Sequence, residues 1–127
     1  MVGANLRNAN IVGASLGGAK MERTNLFNTS IVGADLSGAT FESAMLAHCR
    51  IDLANASFAD FSGSEGLTPN QLDRCFGCAG TKLPEGLHPP DHWHPTHLFL
   101  FEGFEAYQTW RADRQAKGLP PFDETSN

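Results

Sequence analysis

From Leu6 onward a large apolar residue returns every five positions: Leu6, Ile11, Leu16, Met21, Leu26, Ile31, Leu36, Phe41, Leu46 and Ile51. Ala56 is a weak member and Phe61 closes the series. Two residues before each stands a small one, such as Ala4, Ala9, Thr24, Ala34 or Cys49. Between the two lies a mostly polar position, for example Asn5, Asn10, Ser15, Asn25 and Asp35. Two residues after the large one, Gly is frequent, as at Gly13, Gly33 and Gly63. A period of five fits neither the 3.6 of a helix nor the 2 of a strand. The chain must turn a corner once per repeat, with small and large residues inside and polar ones outside.

A second, longer period refines this. Residues 10–19 read NIVGASLGGA and residues 30–39 read SIVGADLSGA, identical at seven of ten positions. Four repeats per turn would stack each residue on the one twenty later. The large residues then sort into Leu6–Leu26–Leu46, Ile11–Ile31–Ile51, Leu16–Leu36–Ala56 and Met21–Phe41–Phe61, like on like.

The units ANLRN, ASLGG, TNLFN, ADLSG and ATFES resemble the A(D/N)Lxx unit of the pentapeptide-repeat family, over twelve units from Val2 to about Gly63. The resemblance implies an all-β solenoid, a right-handed quadrilateral parallel β-helix of about three coils. Strand spacing of ~4.8 Å makes such a rod only about 15 Å long. A buried large side chain contributes ~1.5–3 kcal/mol, against ~1–2 kcal/mol to order each backbone residue. Apolar burial alone cannot hold five residues per large side chain, so hydrogen bonds between coils and caps must contribute. Met1, Val2 and Gly3 already fall in register. That start reads as either a truncated parent or an end that stacks on a partner, since open coils are sheet edges.

After Gly63 the repeat stops, which sets expected boundaries of 1–63 for the β-helix, 64–117 for a capping and wrapping segment, and 118–127 for a disordered tail. Thr68-Pro69-Asn70-Gln71 carries an N-cap, a Pro at the first helical position and a Gln three after the cap. It predicts a capping helix to about Phe76, ended by Gly77. The stretch LPEGLHPPDHWHP is too rich in Pro for a helix and reads as an extended wrap. Leu100 to Lys117 reads as a C-terminal helix with Phe104, Tyr107 and Trp110 at helical spacing. Residues 66–93 also resemble a tail, GLTxxQLDxACGDxxTxLPxGLxxPxHW, that follows the repeats in some bacterial members. Cys75 and Cys78 stand where that pattern has Ala and Asp.

Several signals suggest chemistry and are weighed against plainer readings. Cys75-x2-Cys78 followed by His92-x4-His97 has zinc-like spacing. Yet Pro89, Pro90 and Pro95 surround the histidines, and a helix precedes Cys75 where a zinc finger has a hairpin. Buried thiols and ordinary surface histidines fit better, and no metal or other cofactor is assigned. Cys75 and Cys78 lack the βαβ setting of a redox pair. His48 and Cys49 are neighbours pointing to opposite sides, so they cannot act together. No convergent acid, base and nucleophile set is visible, which argues against an enzyme.

Function is therefore expected to be structural or protein-binding, with the partner unidentified. Phe104, Tyr107 and Trp110 are a candidate interaction stripe that could instead pack on its own domain. A homodimer through the first coil or the last helix is a further possibility. The resemblance also raises DNA mimicry toward a topoisomerase such as gyrase. Four basic residues of the repeats nearly cancel five acidic ones, however, and most of the formal −5 lies in the tail. No basic stripe argues for direct nucleic-acid binding, no long apolar run argues for a membrane span, and the cytoplasm is the default expectation.

Overall fold

The computed structural model describes residues 2–90, 92–93 and 100–116. Parallel bridges join Asn5 to Asn25, Asn10 to Ser30, Ser15 to Asp35 and Lys20 to Thr40, each at an offset of twenty. The next turn repeats them: Asn25 to Met45, Ser30 to Arg50, Asp35 to Asn55 and Thr40 to Asp60. The chain thus climbs one stacked layer per twenty residues, with four short bridged walls per layer. Hydrogen bonds link the layers in both directions. The Leu26 amide donates to the Met45 carbonyl at 2.9 Å, while the Asn25 amide donates to the Ala4 carbonyl at 2.9 Å.

Local chemistry makes each corner. The amide three residues on donates back to the carbonyl of the large residue, as Ala9 does to Leu6 at 3.0 Å. Such a turn needs positive φ at its third residue. Every corner from Gly3 to Gly63 supplies it, with φ between 57° and 74°. That explains why Gly recurs two places after the large residue. Leu53 and Phe58 adopt the same conformation without glycine's freedom, a cost repaid by the surrounding stack. The polar position has an equally local role. The side chains of Asn5, Asn25, Asp35, Asn55 and Asp60 each accept the amide two residues later. These Asx turns pre-bend the corner.

The interior follows the four expected columns. Leu26, Leu36, Phe41 and Phe61 are fully buried, and Met21, Ile31, Leu46 and Ile51 nearly so. Phe41 and Phe61 stack with centroids 4.9 Å apart and planes 14° from parallel. Leu6, Ile11 and Leu16 of the first layer are only partly buried.

Backbone pairing runs past Gly63, where the sequence repeat ends. Glu65 bridges Met45, Phe76 bridges Asn55 and Lys82 bridges Asp60. A partial fourth layer therefore lies on three walls. On the remaining wall stands helix α1, Pro69–Asp73. Its N-cap Thr68 accepts from the Gln71 amide, and the Gln71 side chain accepts the Thr68 amide at 2.7 Å. The Gln71 Nε2 group then donates to the carbonyls of Leu46 and Cys49, both at 2.8 Å. One side chain thus completes the capping box and satisfies two carbonyls of the layer below.

The helix is shorter than the sequence predicts. It stops at Asp73 rather than running to Phe76. The Phe76 amide donates to the Ala54 carbonyl, and the Phe76 carbonyl accepts from the Ala56 amide at 2.7 Å. Bonding to the wall of the layer below outcompetes another helical turn. Leu83 and Leu87 of the wrap pack against the core, and Trp93 is buried. Helix α2 spans Leu100–Ala116, and the expected helix end at Lys117 and the 118–127 tail lie outside the described residues. None of the helices is long and apolar enough to cross a membrane among the described residues.

Gly66 sets a test of this geometry. Its φ is +84°, and a Cβ there would lie 2.6 Å from the Ala47 amide nitrogen. Gly66→Ala should cost about 1–3 kcal/mol from backbone strain and overlap together. Gly86 has φ +90° but open space around it, so Gly86→Ala should lose only about 1 kcal/mol. Urea denaturation of the two variants measures the difference.

Candidate functional site

The Cys/His spacing does not assemble into a ligand set. The Cys75 thiol is fully buried and donates to the Leu72 carbonyl at 3.6 Å. The Cys78 sulfur accepts the Gly80 amide at 3.4 Å. His92 is half-buried, not an ordinary surface histidine. Its Nε2 group donates to the Cys75 carbonyl at 2.7 Å, and its ring stacks on Trp110 at 5.4 Å. The Trp93 Nε1 group donates to that same carbonyl at 2.9 Å. His92 thus engages the backbone of Cys75 rather than its sulfur. His97 lies outside the described residues. Among the described residues, no three His, Cys, Asp or Glu side chains gather as a metal site.

Two of the thiols, Cys49 and Cys75, are chemically muted. Burial, reinforced by the Asp52 charge, pushes Cys49 up to about 12. Cys75 is pushed up by burial, then by Asp52 and Asp73. A raised folded-state value keeps the proton on sulfur, whereas the unfolded thiol loses it above about pH 9. Stability contributed by these neutral thiols is full below that pH. It falls as pH rises from there, by up to ~1.4 kcal/mol per pH unit for each thiol. Denaturation curves at pH 8 and pH 10 measure the loss. A thiol reagent should label Cys49 and Cys75 at the rate of opening, because the thiolate is the reactive form.

The aromatic stripe of α2 is committed largely to its own chain. Tyr107 is buried, and its hydroxyl donates to the Leu53 carbonyl at 2.5 Å. Burial raises its pKa, partly offset by Arg111. Phe76 packs against both Tyr107 and Trp110, at 6.1 and 5.6 Å. Phe104 lies on the same helix, within Leu100–Ala116. Sequence periodicity finds this stripe but not its destination, because Phe76 gives no sign of being its target.

α2 and residues 72–78 cover the third-layer stretch 51–57, which is buried throughout. The wall carrying residues 5–8, 25–28 and 45–48 is more open. There the Arg7 guanidinium lies 5.4 Å from the Phe27 ring centre, and His48 meets the same ring edge-on at 5.4 Å. The Asn28 Nδ2 group donates to the Asn8 side-chain oxygen Oδ1 at 2.8 Å. His48 is exposed while Cys49 is buried, on opposite sides of the wall. The sequence hides this cluster, because its members come from three separate layers.

The family model for pentapeptide repeats matches in eight copies, over residues 4–42 and 25–65. No match is found among curated proteins. Among solved structures, the chain is similar to HetL, a pentapeptide repeat protein involved in heterocyst differentiation regulation from the cyanobacterium Nostoc sp. strain PCC 7120. The identity is 26%, over 67% of this chain and 34% of that one, with a TM-score of 0.49. It is also similar to Rfr23, a pentapeptide repeat protein from the cyanobacterium Cyanothece 51142. There the identity is 26%, over 63% of this chain and 57% of that one, with a TM-score of 0.35. The chain spans about a third of HetL's length. With the repeat model matched across residues 4–65 and four bridged walls returning every twenty residues, the chain belongs to the pentapeptide-repeat family.

Proposed function

We propose that this chain is a non-catalytic binding module. Three right-handed coils form a rigid block, residues 64–90 close one end of it, and an outer wall is presented to a protein partner. The observation that carries the reading is the Arg7–Phe27–His48 cluster on the wall that α2 leaves open. An aromatic ring flanked by a guanidinium and an imidazole on a flat, ordered surface is the composition of an interaction hot spot. The wall's backbone is hydrogen-bonded layer to layer, so little ordering entropy is lost on binding. The muted thiols of Cys49 and Cys75 support a role without covalent chemistry at those positions.

Affinity capture with the full chain as bait tests this. A partner should be enriched by the native chain and by Lys82→Glu, and lost from Phe27→Glu. If Phe27→Glu, shown to be folded, captures the same proteins in the same amounts, the assignment of this wall fails.

A further inference from the structure

Beside α1 lies an open cavity of about 640 Å³, whose mixed polar and apolar lining includes His48, Arg50, Asp52, Asn28, Asn70 and Arg74. Its origin is a substitution within one outer column. Val12 and Val32 occupy that column in the first two layers, and Asp52 takes the place in the third. Asp52 is 4% exposed. A carboxylate so deeply placed needs a cationic partner, and it has two. The Arg50 Nη2 group stands 3.5 Å from Asp52 Oδ2, and the Arg74 Nη1 group stands 3.4 Å from that same oxygen.

One guanidinium would neutralise Asp52. The second leaves the cluster with an excess positive charge, on a chain whose formal net charge is −5. Each guanidinium offers five N–H donors, and Asp52 takes one from each. Among the described residues no other side chain is seen to accept from either. Their side chains remain 28% and 38% exposed, respectively. Asp52 therefore holds two donor forks toward one cavity while consuming little of their capacity. Two elements converge to make this arrangement: Arg50 on a bridged wall, and Arg74 as the C-cap of α1.

We propose that this cavity is a binding site for a phosphate group, free or carried on a small ester. A tetrahedral oxyanion accepts from two guanidinium forks at once, which is the arrangement Arg is suited to. The volume falls in the range of small-ligand sites and leaves room beyond the phosphate, where the Asn28 and Asn70 amides line the wall. The cavity shares His48 with the Arg7–Phe27–His48 cluster, but Arg50 and Arg74 lie outside that cluster, so variants at the two arginines test this site and Phe27→Glu tests the other.

Calorimetric titration of the full chain at constant ionic strength tests it, with inorganic phosphate in one arm and glycerol 3-phosphate in the other. Binding in either arm should weaken about tenfold in Arg50→Gln and in Arg74→Gln, the scale of one hydrogen bond to a charged group. It should be unchanged in Lys20→Gln, which removes an equal charge from another wall. Tighter binding of the ester identifies the carried phosphate as the ligand, and equal binding identifies the free ion. Asp52→Asn should tighten binding several-fold, because it removes the competing carboxylate. A purely structural ion cluster would lose stability in that variant with no gain in affinity. If Asp52→Asn fails to fold, the two arginine variants decide the matter. No heat of binding at millimolar ligand in either arm overturns the proposal. So does binding that Arg50→Gln and Arg74→Gln both leave intact.

Discussion

Phe41→Ala should lower the unfolding free energy by about 3–5 kcal/mol, the loss typical of a buried aromatic truncated to a methyl group. Phe41 is fully buried in the middle layer of its column, between Met21 and Phe61. Its ring stacks on Phe61 at 4.9 Å, so truncation strips contacts from the neighbouring layer as well. In a stacked array each layer is held by its neighbours, and a loss in the middle layer cannot be confined. Total stability of a domain is only ~5–15 kcal/mol, so the variant should be partly unfolded at room temperature or melt far below the parent. Phe41→Leu, which refills much of the volume, should recover more than half of the loss. Denaturant melts monitored by far-ultraviolet circular dichroism measure both. A Phe41→Ala loss below about 1 kcal/mol would mean that the column is not close-packed.

Trp93→Ala should cost a comparable ~3–5 kcal/mol, but in a different place. Trp93 is 4% exposed, and its indole nitrogen donates to the Cys75 carbonyl. The face of its ring lies over Gly77, where a Cβ would approach the indole carbons to 2.6 Å. The indole therefore pins the strand at Phe76 that bridges Asn55. Removing it should release the partial fourth layer before the coils below. In hydrogen exchange, the Phe76, Ala56 and Lys82 amides should lose protection first, while the Leu26 and Ile31 amides keep theirs. Trp93→Phe retains most of the apolar area and loses the hydrogen bond, so its cost should be nearer 1–2 kcal/mol. Uniform loss of protection along the chain would show instead that end and coils unfold as one unit.

The corner-turning half of the fold is legible in the sequence because side chains carry it. Interior residues are apolar apart from the small buried threonines Thr24 and Thr29, each Asx-turn position is polar, and the positive-φ position often lacks a Cβ. The partial fourth layer is not legible, for a physical reason. Phe76 and Lys82 join the stack through backbone hydrogen bonds, which leave no side-chain signature. Their offsets from Asn55 and Asp60 are 21 and 22 rather than twenty, because α1 and its flanking turn insert residues into the circuit. The start of α1 is readable from Thr68, Pro69 and Gln71, but its end is not. What stops it is a tertiary bond to Ala54 and Ala56, not a local breaker.

The candidate sites show the same division. The stripe of Tyr107 and Trp110 is visible as a period, but Leu53 and Phe76 as its contacts are not. Zinc-like spacing at Cys75, Cys78 and His92 is visible too, yet His92 spends its donor on a carbonyl. Asp52, Arg50 and Arg74 look like ordinary surface charges until the layer above Asp52 buries it. The departure from valine in that column is the one sequence signal that could have marked the place.

The central claim is that the backbone returns to the same wall after twenty residues. Scalar couplings across hydrogen bonds, measured by nuclear magnetic resonance on uniformly labelled protein, read that return directly. The amide nitrogens of Leu26, Ile31, Leu36 and Phe41 should couple to the carbonyl carbons of Met45, Arg50, Asn55 and Asp60, whose oxygens they meet at 2.8–2.9 Å. Couplings from those amides to carbonyls four residues earlier, or to any set not offset by nineteen, would contradict the stacked-coil account.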